Sequence, residues 1–306
     1  MKLLTFSRTG QQSRLGLMLE GQILDVSSAW NVVEHPLQGS PAPTSVLDVI
    51  RAGHSCMDAL ALLQNAARHR PECCVDADEV TFLPPIPQPP KNVICVGRNY
   101  KAHIVESNLA RGRAAEDFPK AIELFTKPAT TLVGHKQAVS RHAAHTAILD
   151  YEIELGVVIG KEGSNIDPAD AMKYIFGYTI VNDITARDLQ ALHGQWFKGK
   201  SLDGTCPMGP VVVTKDELLD AGKLDLVLSV NGEVRQSSNT SDLLFDIPQI
   251  ISQVSAGLTL QAGDIIATGT PSGVGFAMTP PISLESGDLI SARIHGIGEL
   301  LTTIAR

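Results

Sequence analysis

The chain has 306 residues, and its 25 Lys and Arg against 33 Asp and Glu give a formal net charge of −8. Hydrophobic residues make up 43% and charged residues 19%, which excludes a disordered chain, a collagen-like chain and a coiled coil. An acidic chain is a poor general binder of nucleic acid or of an anionic membrane, so we expect neither as a partner. At about 150 residues per domain, the length predicts two domains or one large domain with an appendage.

The cysteine pattern and the first residues predict the compartment. The five cysteines are odd in number and form no CxxC pair, which favours neither a disulfide framework nor a thiolate zinc site. The N-terminal MKLLTFSRTG has too short an apolar run for a signal peptide. No stretch reaches the roughly 18 consecutive apolar residues of a membrane span. We therefore expect a soluble, cytoplasmic protein.

The first 85 residues have the pattern of a small α/β domain. Residues 3–7 and 15–25 predict strands, the second region turning at Glu20-Gly21, and residues 45–68 predict a helix interrupted near Gly53. Five prolines follow between residues 84 and 90, and such a segment suits neither a helix interior nor a central strand. We therefore predict two domains, residues 1–85 and residues 86–306.

The rest of the chain is predicted to be mostly β with some α. Residues 92–97 form a short apolar strand, and the polar stretch after Asn99 is partly helical. Asn231-Gly232 is a strong hairpin signal. The phrases LQAGDIIATG and LESGDLISARI each place Gly-Asp before a strand. Further helices are predicted at 168–174, 184–193 and 244–256.

An acidic phrase, DYEIELGVVI, covers residues 150–159. On a strand, residues two apart share a face, so Asp150, Glu152 and Glu154 would lie together. Two interpretations stay open, a half-exposed strand with a solvated acidic face and a site for a cation. Repulsion between the like charges, the low strand propensity of Glu and the apolar run that follows favour the cation. Ligands that are all oxygen suit Mg²⁺, Mn²⁺ or Ca²⁺ better than Zn²⁺.

Two further groups could act with these carboxylates. Asp183 ends the apolar strand YTIVND and is either a helix cap or a third metal ligand. His103 and Glu106 are three residues apart and would be neighbours on a helix. The carboxylate could then orient the imidazole and raise its basicity, giving a pair that activates water. The alternative is a surface histidine with a nearby glutamate.

Two glycine-containing phrases resemble nucleotide-binding motifs. Residues 194–201, GQWFKGKS, match the phosphate-loop pattern, which requires a strand before it and a helix after it. The preceding segment looks helical and the following one contains Pro207 and Pro210, so a nucleoside triphosphatase is disfavoured. Residues 269–275, GTPSGVG, do not match the dinucleotide fingerprint. That loop is either a tight turn or a set of N–H groups facing an anion.

Taken together, seven phrases resemble the fumarylacetoacetate hydrolase family. In the family's order, between about residues 92 and 276, they are ICVGRNYKAHIVE, FTKPATTLVG, LDYEIELGVVIGK, GYTIVNDITARDLQ, QWFKGKSLDGTCPMGP, VNGEVRQSSNT and GDIIATGTPSGVG. The first 85 residues resemble the small variable domain of many bacterial members. The resemblance implies a mixed β-sandwich roll with a small α/β N-terminal domain, a homodimer, and a divalent metal in the C-terminal domain.

The resemblance also implies roles for particular residues. The metal ligands would be Glu152, Glu154 and Asp183, holding Mg²⁺ or Mn²⁺, or Ca²⁺ in crystals. The catalytic residues would be His103, Glu106 and Lys200, and the substrate-binding residues would be Arg187, Gln190 and Thr270. Arg98 stands before the NYxxH phrase, where an apolar residue is commoner in the family, so we expect an altered substrate shape.

The implied activity is hydrolysis of a C–C bond. The substrate would be a small 2-oxo acid, an acylpyruvate or related 2,4-dioxo acid (fumarylpyruvate-like or a diketo-deoxy sugar acid), cleaved to pyruvate and a carboxylic acid. An oxaloacetate decarboxylase or a 2-hydroxydienoate isomerase would use the same metal-stabilised enolate. A ligand-binding module without catalysis is disfavoured, because it has no need of a general base.

Overall fold

The computed structural model of the protein describes residues 1–218 and 220–306. Strand residues outnumber helical ones, 32% against 26%, so the predicted mostly β fold with some α is confirmed. In the described ranges no helix is both long and apolar enough to cross a membrane.

The elements follow one another as many short strands with few helices. The strands are β1 (Lys2–Ser7), β2 (Arg14–Met18), β3 (Gln22–Asp25), β4 (Cys74–Asp76), β5 (Thr81–Leu83), β6 (Val93–Gly97), β7 (Glu123–Lys127), β8 (Leu132–Val133), β9 (Ala138–Ser140), β10 (Leu149–Asp150), β11 (Ile153–Ile159), β12 (Ile175–Asn182), β13 (Thr185–Ala186), β14 (Cys206–Thr214), β15 (Asp225–Val230), β16 (Glu233–Asn239), β17 (Ile265–Ala267), β18 (Leu289–Ile294) and β19 (Gly298–Ala305). The α-helices are α1 (Val26–Ala29), α2 (Val46–Ala52), α3 (His54–Ala66), α4 (Lys101–Ala110), α5 (Arg187–Leu192), α6 (Phe197–Lys200) and α7 (Ile247–Ser255). Single 3₁₀ turns lie at Ala67–His69, Pro71–Cys73, Ala77–Glu79, Ala129–Thr131, Ala171–Tyr174, Ala221–Lys223, Thr240–Asp242 and Gly275–Ala277.

A large sheet runs through the molecule in the order β4-β3-β2-β1-β14-β12-β11-β17-β6-β7, with β5 added to β1 and β8 to β14. The N-terminal strands join it because β1 pairs antiparallel with β14, with Leu3 opposite Val212. Hydrogen bonding therefore continues across the expected boundary, and the division into residues 1–85 and 86–306 stays a prediction.

The N-terminal helices form as the sequence predicts. Ser45 caps α2 and makes a reciprocal capping box with Asp48, which satisfies two backbone N–H groups that the first turn leaves free. Gly53 separates α2 from α3 with a φ of 71°, a left-handed value that side chains rarely adopt. Both helices bury apolar residues, among them Val49 and Leu60, in a core shared with the strands of the large sheet.

A second sheet, in the order β16-β15-β18-β19-β9, packs on the large one. Its hairpin turns at Asn231 and Gly232, whose φ values of 53° and 83° are those of the turn that Asn-Gly favours, so the hairpin prediction is confirmed. Leu155 of the large sheet and Leu226 of the second sheet lie in one buried apolar cluster. This packing gives the predicted sandwich.

The helix prediction for residues 168–174 is wrong, because only the 3₁₀ turn Ala171–Tyr174 forms there. β12 begins at the next residue, Ile175, so the segment has room for a single turn. The helix predicted at 184–193 begins only at Arg187. Pairing of β10 with β13, which places Asp150 opposite Thr185, keeps the preceding residues extended.

Gly177 allows the close approach of β12 to β14, and we predict that Gly177→Ala destabilises the fold. An added Cβ would lie 2.2 Å from the carbonyl oxygen of Val213, a backbone atom that cannot move freely. We expect a loss of about 1–3 kcal/mol in the free energy of unfolding, measured with denaturant.

The matched control is Gly222→Ala, where the nearest neighbour is a side-chain oxygen of Asp220 at 3.3 Å. It should change stability much less. Equal losses in the two variants would show that backbone crowding at Gly177 is not the cause.

Candidate active site

Three carboxylates meet where β11 and β12 lie side by side. Glu154 is on β11, Glu152 immediately precedes it, and Asp183 directly follows β12. The antiparallel register sets Ile153 opposite Asn182, and the Asp183 N–H donates to the Glu152 carbonyl at 2.8 Å. One oxygen from each carboxylate lies within 4.8 Å of the others, and all three side chains are buried. We call Glu152, Glu154 and Asp183 the carboxylate cluster.

Glu152 is matched by cations. Its Oε2 accepts a hydrogen bond from Lys200 Nζ at 2.6 Å, and its Oε1 lies 2.6 Å from Arg187 Nη2. Burial alone would raise the pKa of Glu152, but these two positive charges outweigh it and hold the pKa well below its ordinary value. Burial alone would lower the pKa of the Lys200 ammonium group, but the negative charges of Asp183 and Glu152 outweigh it and raise that pKa.

Glu154 has no such compensation. One of its oxygens accepts the Gly269 N–H at 2.9 Å, and it forms no ion pair with any residue in the described ranges. Burial, followed by the nearby charges of Asp183 and Glu152, raises the pKa of Glu154 well above its ordinary value. Crowded, buried carboxylates with an excess of negative charge are the donor set that a divalent cation takes.

Asp150 does not belong to the cluster, which corrects the expectation that Asp150, Glu152 and Glu154 line one face. The strand is interrupted after Asp150, at Tyr151 and Glu152. Asp150 Oδ2 instead accepts from Arg187 Nε at 2.9 Å, and its Oδ1 accepts the Gly275 N–H at 2.8 Å. The solvated-face interpretation is wrong as well, since residues 150–159 are all buried.

Asp183 is not a helix cap. The residue at the start of α5 is Ala186, which makes no capping side-chain hydrogen bond. The Asp183 carboxylate lies instead between two lysines, with Oδ2 at 2.6 Å from Lys200 Nζ and Oδ1 at 2.9 Å from Lys127 Nζ. The capping interpretation of Asp183 therefore gives way to a place in the cluster.

His103 and Glu106 are paired on α4, as their spacing predicts. Nδ1 of His103 lies 2.9 Å from Glu106 Oε1, and the Gly273 N–H donates to both Glu106 oxygens at 3.0 and 3.1 Å. His103 is buried and lines the same pocket as Glu152, Glu154 and Lys200. A carboxylate fixed from both sides sets the orientation of the ring, and the surface-histidine alternative is wrong for this position.

The residues predicted to bind substrate also line this pocket. Arg187 and Gln190 lie about one turn apart on α5, and Arg187 Nη1 is 3.3 Å from Gln190 Oε1. The Thr270 hydroxyl donates to the Ile153 carbonyl at 2.9 Å and accepts from Gln236 at 2.8 Å. Arg98 lies in the wall, bound to Glu123 at 2.9 Å. The pocket brings these residues together, and their substrate-binding roles stay predictions.

Neither glycine-containing phrase forms a nucleotide site. Lys200 ends the four-residue helix α6 and points into the carboxylate cluster, and no strand directly precedes residues 194–201. The loop 269–275 does present N–H groups to anions, but these are the protein's own carboxylates, Glu154, Glu106 and Asp150. Gly273 is required there, because its φ is 101° and a Cβ would lie 2.0 Å from the Arg235 carbonyl oxygen.

Lys127, at the end of β7, is a site residue that sequence reasoning missed. Its ammonium group is fully buried, and besides its ion pair with Asp183 it donates hydrogen bonds to the carbonyls of Ile184 at 3.0 Å and Lys200 at 2.6 Å. It therefore ties the segment of Asp183 to the segment of Lys200. Lys127 ends the strand ELFTK, and its place in the family phrase FTKPATTLVG was the available signal.

Comparison with known proteins identifies the family. Residues 92–305 match the family model described as the fumarylacetoacetate (FAA) hydrolase C-terminal domain. The chain belongs to the fumarylacetoacetate hydrolase family, whose members are enzymes, and the resemblance found in the sequence is confirmed.

Three of the similar proteins have names that describe an activity. Oxaloacetate tautomerase YisK of Bacillus subtilis is 52% identical over 226 residues, which are 74% of this chain and 73% of that protein. The structure of a fumarylacetoacetate hydrolase from Exiguobacterium antarcticum is 41% identical, with a TM-score of 0.81 and full coverage of both chains. The structure of maleylpyruvate hydrolase from Sphingobium sp. SYK-6 is 30% identical, with a TM-score of 0.74, covering 100% of this chain and 99% of that one.

The family commonly binds a divalent metal, and the cluster fits one. Glu152, Glu154 and Asp183 would hold the ion. The observation that supports this fit is that Glu154 is buried beside two other carboxylates and forms no ion pair in the described ranges.

We predict opposite stability changes for Glu154→Gln and Glu152→Gln in the metal-free protein. A raised pKa means that ionised Glu154 opposes folding increasingly as the pH rises above its ordinary pKa. Glu154→Gln should therefore stabilise the metal-free protein at about pH 8, and stabilise it less at about pH 5. A lowered pKa means that ionised Glu152 stabilises the fold above its ordinary pKa, so Glu152→Gln should destabilise it, on the order of 3 kcal/mol. Thermal unfolding with chelator present measures both.

Each variant serves as the control for the other, because both remove one carboxylate charge from the same cluster. Calorimetric titration should show that both lose Mg²⁺ affinity. A destabilised Glu154→Gln protein at every pH would contradict the charge excess, and unchanged Mg²⁺ affinity would contradict the metal centre.

Proposed function

We propose that this protein is a Mg²⁺-dependent enzyme that interconverts the keto and enol forms of oxaloacetate. The observation that carries the proposal is one pocket lined by His103, which pairs with Glu106, by the buried Lys200, and by the two glutamates of the carboxylate cluster. Tautomerisation needs one base and a group that stabilises the enolate, and it needs no attacking water. The relative from B. subtilis named oxaloacetate tautomerase supports the choice of substrate.

The residues of the chain would divide the work as follows. When bound, the metal ion supplies a Lewis acid for the oxygens of a 2-oxo acid. Glu106 accepts the Nδ1 proton of His103, which leaves Nε2 unprotonated as the base. Nε2 would take a proton from C3 of the keto form, and the protonated His103 would then return a proton to the 2-oxygen, which regenerates the base. The Lys200 ammonium group would stabilise the negative charge that develops on that oxygen.

Hydrolysis of an acylpyruvate is the second candidate. The same His103–Glu106 pair could activate water for attack on the distal carbonyl, after which pyruvate would leave as its enolate. The Sphingobium relative named maleylpyruvate hydrolase supports this reaction. Decarboxylation of oxaloacetate and isomerisation of a 2-hydroxydienoate would pass through an enolate of the same kind. A homodimer and a cytoplasmic location stay predictions.

We predict that His103→Ala slows oxaloacetate tautomerisation about 10²–10⁴-fold, the usual contribution of a positioned general base. The keto form can be trapped with malate dehydrogenase and NADH as it is produced from the enol. Glu106→Gln should do less damage, because it weakens the orientation of the base without removing it. Mg²⁺ affinity should change little in either variant.

The control is His54→Ala, which removes an exposed histidine of α3. A panel with oxaloacetate, acylpyruvates and a 2-hydroxydienoate, each tested with Mg²⁺ and Mn²⁺, separates the candidates. Pyruvate released from acylpyruvates without tautomerase activity would replace the first candidate by the second. Wild-type rates in His103→Ala for every substrate would contradict the assignment of the base.

A further inference from the structure

Two cavities lie side by side at the active site and share a wall. The inner one, of about 30 Å³, contains His103, Lys200 and the carboxylate cluster's two glutamates. The outer one, of about 460 Å³, opens toward solvent. The residues that line both are Arg98, Arg111, Phe125 and Trp196. The inner cavity has room for only a few water-sized groups, and the space for anything longer lies beyond this wall.

Trp196 is held firmly in the wall. Its six-membered ring lies against the backbone of Gly97, where an added Cβ would come within 2.2 Å of Cζ3. Gly97 has an ordinary φ, so the contact with the indole is what excludes a side chain there. Phe125 meets the indole edge to face, with ring centroids 5.5 Å apart. The indole therefore packs on Gly97 of β6 and on Phe125 of β7, two adjacent strands, and cannot swing aside without losing both contacts.

We propose that Trp196 is a specificity-determining residue that restricts the substrate to short 2-oxo acids by separating the inner cavity from the outer one. The inference rests on the proposed function, since it names the size class of acid that the same site takes. The carboxylate and 2-oxo group of the acid would point into the inner cavity, and a four-carbon acid such as oxaloacetate has only a short remainder to place beyond them. A longer acyl chain would have to pass through the space that the indole fills.

The outer cavity could accommodate such a chain if the indole were removed. Leu124 and Phe197 line it and are about half exposed, and Arg113 lies beside them. Each methylene group that becomes buried strengthens binding by about 0.8 kcal/mol, or about fourfold in affinity. Opening the wall should therefore favour long acids over short ones, with a preference that grows with chain length.

The test compares binding of a homologous series of stable acids, 2-oxobutanoate, 2-oxohexanoate and 2-oxooctanoate, to the Mg²⁺-loaded protein by calorimetric titration. In the wild-type protein affinity should fall along the series. In Trp196→Ala the affinity ratio of 2-oxooctanoate to 2-oxobutanoate should rise at least about tenfold, which burial of only two of the four additional methylene groups would give. Trp196→Phe, which keeps an aromatic ring against Phe125, should give an intermediate ratio.

The matched control is Phe197→Ala. Phe197 is the next residue along the chain, and it lines the outer cavity but not the inner one. It should leave the order of affinities unchanged. Should Trp196→Ala fail to fold, the ratio in Trp196→Phe decides. An unchanged affinity ratio in the Trp196 variants, or an equal change in Phe197→Ala, would show that Trp196 does not determine specificity. If the wild-type protein has no tautomerase activity but the affinity ratios are as expected, only the proposed function is overturned. If the wild-type protein binds none of the acids, the proposed function and the role of Trp196 are both overturned.

Discussion

Asp150 and the three carboxylates of the cluster are buried beside three cations, and this is the constraint on which the rest of the site depends. Lys127, Lys200 and Arg187 are all buried, and each contacts at least one carboxylate of the site. Because a buried charge without a partner is costly, none of these groups can be moved independently of the others. The imbalance falls on Glu154, which faces like charges and has the raised pKa. A divalent cation would correct that imbalance, so metal binding and the stability of the fold are coupled at this position.

The sheet supplies the geometry that this cluster needs. Adjacent antiparallel strands bring Glu154 of β11 and Asp183 after β12 to the same end, and the register there is fixed by two hydrogen bonds between Glu152 and the Asn182–Asp183 segment. A slip of one residue would turn the carboxylates to the opposite face. The loop 269–275 then closes the site from above β11, since its N–H groups hold Glu154, Glu106 and Asp150. One loop thus connects the carboxylate cluster, the His103–Glu106 pair on α4 and the ion pair of Arg187 with Asp150.

The sequence predicted the parts of this site whose signals are local. The three-residue spacing of His103 and Glu106 predicted their contact on α4, and the family phrases predicted which carboxylates would meet. Asp150 was misplaced because the alternation rule assumes an unbroken strand, whereas the chain bends at Tyr151. The role of Lys127 could not be derived, because its partners are 57 and 73 residues away in the chain. Such pairings depend on how the strands are ordered in the sheet, which periodicity does not contain.

One site of this kind can support several reactions, because the enolate is common to them. The carboxylate cluster, Lys200 and His103 would stabilise and form that enolate whichever bond changes. What distinguishes tautomerisation from cleavage of an acylpyruvate is the space beyond C3, since cleavage needs both an acyl group and a water molecule there. In this protein the pocket is bounded on one side by Trp196, whose indole lies directly against Gly97, and the proposed binding mode would place that space beside the indole. On the proposed function, the indole in the wall would therefore influence the choice of reaction as much as the charged groups do.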